Sequence, residues 1–173
     1  MDIEQEVRRF RMDMLRKMPF YGDVVMRLPF EANPRIRTAC TDGSRIEYNP
    51  AFLRSMTAGQ RNYVLMHEVF HVLLFHCRRS RDKDPRLWNT AADLLVNSLL
   101  DQLRWNLTER GIEFERPKDG IFGSVRPVDT VENLYEALRK SNREENLKKE
   151  VKRIVQKPKA KQSAPPHKKT VQG

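Results

Sequence analysis

Cysteine is nearly absent from this sequence: Cys40 and Cys77 are the only two among 173 residues. Two distant thiols make neither a disulfide framework nor a Cys-x-x-Cys metal site, and they predict a reducing, cytoplasmic compartment. Long hydrophobic runs are missing too, and without a stretch of about 18 apolar residues no membrane span is expected. The N-terminus, MDIEQEVRRFRMDMLRKM, lacks the basic, apolar, small-residue order of a secretory signal. Acidic residues are scarce in one place only. Residues 148–173 carry nine Lys/Arg against one Glu, which leaves 24 against 22 in the rest of the chain. The net charge of +10 therefore sits mainly in the tail. With few apolar residues to bury, this tail is expected to be disordered. Its charge suits nucleic acid or an acidic partner, and it equally suits a solvated, solubilising segment. Length and composition fit one globular domain over residues 1–145, followed by the basic tail over 146–173.

Ile3, Val7, Phe10, Met14 and Met18 recur every three or four residues and predict an amphipathic helix over 3–17. Pro19 follows its end, and VVMRL (24–28) reads as a short strand stopped by Pro29. RIRTACTDGSRIEYNP carries a hairpin signal, with strands at 36–41 and 44–48 around Asp42-Gly43. Asn49-Pro50 breaks that pattern, and AFLRSM reads as a helical turn. Thr57 and Gln60 form a capping box that opens a helix expected over 58–79, apolar nearly all round in its middle. A further helix is predicted over 86–104, with Leu87, Ala91, Leu94, Leu95 and Leu99 inward. Residues 109–128 read as loop. Asp129 with Glu132 looks like another cap, opening a helix from about 130. There are no internal repeats.

The buried helix contains the run YVLMHEVFHVLLFHCRR. Imidazoles and a carboxylate placed among such neighbours need partners, because burying them unpaired costs several kcal/mol. His67-Glu68-Val69-Phe70-His71 is an H-E-x-x-H motif. Helical positions four apart differ by only about 40° around the axis, so both imidazoles point the same way and can share one metal ion. Glu68 lies beside them, placed to take a proton from a water that zinc acidifies and to hand it to a leaving amine.

A third ligand is needed, and two residues compete for the role. His76 is near in sequence, but in an unbroken helix it lies about 180° from His67. It could ligate only if the helix ended after His71 and the chain turned back, and VLLFH contains no glycine to make that turn. Otherwise His76 packs, or hydrogen-bonds from the far side. The other candidate is Asp93 in LWNTAADLLVNSLL. Asp93 and Asn97 are four apart and interrupt an apolar helix, so Asp93 could complete the site while Asn97 orients a histidine through its second ring nitrogen. Trp88 and Trp105 read as core or helix-end packing. Tyr48, at the end of the hairpin, is a candidate to line the cleft.

TDGSRIEYNPAFL, VLMHEVFHVLLFHCRR, LWNTAADLLVNSLL and VDTVENLYEAL together resemble the zincin-like zinc metallopeptidase domain found N-terminal to von Willebrand factor A-like domains in bacterial and phage proteins. The resemblance spans about residues 5–140, and a basic tail follows here in place of the von Willebrand-like domain. It implies an α+β zincin-like fold, a divalent metal and peptidase chemistry. It further implies His67 and His71 as metal ligands and Glu68 as catalytic acid/base.

The resulting expectation is an α+β zincin-like domain with a small, mostly antiparallel sheet beside the H-E-x-x-H helix, binding Zn2+ and hydrolysing peptide or protein substrates. An edge strand from the hairpin could receive an extended peptide by strand addition. Two other readings compete. One is a nucleic-acid-associated metalloprotein, either a protease acting on DNA-bound proteins or a metal-dependent nuclease, for which the basic tail is the motive. The H-x3-H-x5-H endoribonuclease pattern fits poorly, because Cys77 falls where its third histidine belongs. The other is a non-catalytic scaffold with a structural metal.

Overall fold

The structure is a computed structural model that describes residues 2–117 and 130–156. The chain divides into two compact units, Met1–Leu138 and Arg139–Gly173. The first carries the site.

Asp2 accepts a hydrogen bond from the Glu4 amide at 3.0 Å and so caps α1 (Ile3–Lys17). The Ile3, Val7, Phe10 and Met14 stripe is buried, as its spacing predicts. The expected strand at 24–28 is a correction: those residues lie in and just after α2 (Pro19–Arg27). Pro19 starts this helix rather than ending the chain's helical run, since its missing N–H and fixed φ suit the first turn. A short apolar run cannot by itself distinguish strand from helix. Here Met18, Tyr21, Val24, Val25 and Leu28, at helical spacing, all meet the core. Gly22 permits the close approach of the two helices, because a Cβ there would fall 2.6 Å from Leu15 N and 2.8 Å from the Met14 carbonyl carbon.

Three short strands form one sheet in the order β1 (Phe30–Ala32), β3 (Ile46–Tyr48), β2 (Ala39–Thr41). β2 and β3 are the predicted antiparallel hairpin, with β2 starting three residues later than expected and β3 two residues later, at Ile46. Its turn is built by Asp42, whose Oδ1 accepts from the amides of Ser44 and Arg45 and from the Ser44 hydroxyl. Gly43 takes φ 91°, a conformation that glycine adopts freely. β1 pairs with β3 in parallel, so the sheet is mixed rather than mostly antiparallel. Three residues are too few to show a strand period, which is why β1 left no trace in the sequence pattern.

Asn49 caps α3 (Pro50–Arg54) through the amides of Ala51 and Phe52. The Thr57–Gln60 capping box is formed, with both reciprocal bonds present, and it opens α4 (Ala58–Leu73) through the middle of the core. Buried Arg61 ties the start of α4 to Glu6 on α1 and to the Met56 carbonyl.

The helix expected to reach residue 79 ends at Leu73. Phe75 takes φ 54° and ψ 33°, and a separate turn, α5 (His76–Arg79), follows. Arg79 braces this break, donating to the Leu74 carbonyl at 2.9 Å and to both carboxylate oxygens of Glu132 at 2.6 Å. Asp84 caps α6 (Pro85–Glu109), which packs along α4.

α7 spans Val131–Gln156, so the start of the tail expected to be disordered from 146 has helical backbone. An i,i+4 pair, Glu145 with Lys149, supports that extension. Residues 157–173 and the expected cap at Asp129 lie outside the described residues. No helix among the described residues is long and apolar enough to cross a membrane.

Candidate metal centre

Because α4 is continuous from Ala58 to Leu73, His67 and His71 stand one turn apart on one face. α6 brings Asp93 against them. His67 Nε2 and His71 Nε2 are 3.0 Å apart. Asp93 Oδ1 lies 3.4 Å from the first and 3.1 Å from the second. Bonds of about 2.0–2.2 Å at tetrahedral angles place ligand atoms about 3.3–3.6 Å from one another. Three donors gathered to nearly that spacing could hold one metal ion, and among the described residues they are the cluster of His, Cys, Asp and Glu able to do so.

The proton arrangement fits a metal as well. His67 Nδ1 lies 3.1 Å from Asn97 Oδ1, an acceptor, so its proton belongs on Nδ1 and its Nε2 lone pair faces the cluster. Asn97 is fully buried, and the same Oδ1 accepts from the Tyr63 hydroxyl at 3.0 Å. Burial alone would raise the Asp93 carboxyl, but in the metal-free protein imidazoles that carry a proton on Nε2 donate to it from His67 and His71, outweigh burial and hold it down to about 2; a metal ion would take the place of those protons.

Glu68 is half-buried at the edge of the cluster and lines the same cleft. Burial pushes its carboxyl up to about 7; the nearby His71 opposes that shift and Asp93 adds to it. A carboxylate with so high an affinity for a proton, next to a cation site, is suited to exchanging protons near neutral pH.

The cleft, about 980 Å³, runs between the sheet and α6. Residues 37–42 line one side without a gap. Side chains on a strand alternate between faces, so an unbroken run means that the strand's free edge faces the cleft. β2 is indeed an edge strand.

The unbroken helix expected through His76 is corrected by the break at Phe75. His76 does not stand 180° away from the site: its Nδ1 lies 3.2 Å from His71 Nδ1. The turn needs no glycine. Phe75 occupies the left-handed region itself, at a cost of about 1–2 kcal/mol for a residue with a Cβ, with its side chain 63% exposed. Even so, His76 is behind His71 and outside the group of three converging donors.

Trp88 is buried and donates from Nε1 to the His76 carbonyl at 3.1 Å. Trp105, expected to pack, is exposed, and Tyr48, a candidate for the cleft, is buried in the core beneath the sheet. Tyr63 escaped the sequence reading, although it lies four residues before His67 on the same helical face.

Compared with known proteins, the chain matches over residues 3–173 a family model described as "Putative metallopeptidase domain". Neither a curated protein nor a solved structure matches it.

Proposed function

We propose, from the premise that this chain belongs to the "Putative metallopeptidase domain" family, that it is a zinc-dependent peptidase in which His67, His71 and Asp93 hold the metal and Glu68 is the general base. The observation that carries this reading is the convergence of three donor atoms at 3.0–3.4 Å in the floor of a cleft. Two imidazole nitrogens and one carboxylate oxygen are a donor set that suits zinc, and three protein ligands leave a position open for substrate chemistry.

Zinc, when bound, lowers the pKa of a water and polarises the scissile carbonyl. Glu68 would accept a proton from the attacking water and deliver it to the departing amine. Asn97 holds His67 in the tautomer that leaves its Nε2 free, and Tyr63 holds Asn97. An extended peptide adds to the free edge of β2, whose amides and carbonyls fix its backbone across the cleft. Two free cysteines suit action in the reducing cytoplasm.

The test compares wild type with Glu68→Gln, each loaded with zinc, by mass spectrometry of a digested peptide mixture. Wild type should cut, and the variant should keep one zinc per chain while losing about 10²–10⁴-fold in rate. Equal cleavage by both proteins would remove Glu68 from the chemistry. A wild type that binds no zinc would end the peptidase reading.

A further inference from the structure

One buried group beside the metal centre is not used by the peptidase reading. His76 is 2% exposed, and its Nε2 finds no hydrogen-bond partner among the described residues. Its ring stands edge-on to His71, with centroids 5.0 Å apart, and edge-on to Trp88 at 6.3 Å. The bond from Trp88 Nε1 to its carbonyl fixes its backbone. The left-handed turn at Phe75, braced by Arg79, delivers it there.

Proton accounting gives this placement a consequence. For His71 to turn an Nε2 lone pair toward Asp93 and a metal, its own proton must sit on Nδ1. The atom facing that Nδ1 at 3.2 Å is His76 Nδ1. It must then be the acceptor, which leaves the His76 proton on Nε2. We propose that His76 is a positioning residue of the metal centre: its Nδ1 accepts the His71 Nδ1 proton and so fixes the tautomer and ring plane of that ligand. This rests on the metal reading above. The two ligating imidazoles are thus held from behind by different acceptors, Asn97 for His67 and His76 for His71. His76 stands behind the Nδ1 side of His71, opposite the Nε2 that meets the cluster, so it orients a ligand without being one.

The test uses the full chain and zinc itself, with affinity measured by competition against a chelator. His76→Phe keeps the ring shape and removes the acceptor. His76→Asn keeps an acceptor oxygen close to the Nδ1 position. Zinc affinity should fall about 10–100-fold in the first and stay within about threefold of wild type in the second. Cobalt-substituted wild type and His76→Asn should show the same absorption spectrum, because no ligand has been exchanged. Wild-type affinity in a folded His76→Phe variant would overturn the proposal. So would an Asn variant that loses affinity with a changed cobalt spectrum, since His76 would then be a ligand. If the Phe variant does not fold, as circular dichroism would reveal, the Asn variant still decides between the two. Absence of zinc from wild type is a different result, which removes the metal reading and this proposal with it.

Discussion

Acidification should destabilise the metal-free protein through His76, and the size of the effect can be worked out. Burial first, then the nearby His71 and Arg79, push this imidazole from its ordinary value near 6.5 down to about 3. Above pH 6.5 neither the folded nor the unfolded chain protonates it, and the stability is present in full. Between 6.5 and about 3 the unfolded chain binds a proton that the folded one refuses, so stability falls as pH falls. Each pH unit in that window costs roughly 1.36 kcal/mol. From pH 6.5 to 5 the loss is about 2 kcal/mol, a large share of a stability of roughly 5–15 kcal/mol. The assay is urea unfolding of chelator-treated protein at a series of pH values, for wild type and His76→Phe. Groups away from the site titrate alike in both proteins, so the difference between the two slopes reports His76 together with the response of its ring neighbour His71. The variant should lose about 2 kcal/mol less over that interval. An identical slope in a folded variant would refute the reasoning, since His76 would then be no harder to protonate in the fold than in water.

Two predictions concern the backbone. Phe75→Gly should raise stability by about 0.5–1 kcal/mol, because the left-handed turn loses its Cβ penalty and an exposed ring gives up little burial; thermal unfolding of the two proteins checks it, and a lower melting temperature would mean that the Phe75 ring has a packing role. Gly22→Ala should cost about 1–3 kcal/mol or more, since the added Cβ meets the backbone of Leu15 and Met14 rather than a movable side chain; denaturant melts with unchanged midpoint would show that α1 and α2 separate at no cost.

The parts of this protein legible in its sequence are those set by neighbours along the chain. α1, the Asp42-Gly43 hairpin, the Thr57 capping box and the shared face of His67 and His71 all follow from spacings of two to four residues. Within one helix or one turn, backbone geometry alone decides which side chains meet. The same logic set Asp93 and Asn97 side by side on one helix. What it could not supply was distance across the fold. β1 pairs with a strand beyond the hairpin turn, and VVMRL became helix because α1 offered it a surface.

The break before His76 is the clearest case of a tertiary decision. Nothing in VLLFH announces a left-handed residue, and local preference favours an unbroken helix. The turn forms because distant groups reward it: Arg79 bridges the Leu74 carbonyl to Glu132, Trp88 holds the His76 carbonyl, and the His76 ring is buried against His71. Sequence by itself determined that two histidines and a glutamate would share a buried helix. Packing of α4 against α6 and a strained turn decided that Asp93 would face the Nε2 atoms of both histidines and His76 would stand behind His71. The physical reason is range: helical periodicity is a local property of the backbone, whereas the partner of a buried polar group is chosen by whichever element the whole fold brings within about 3 Å of it.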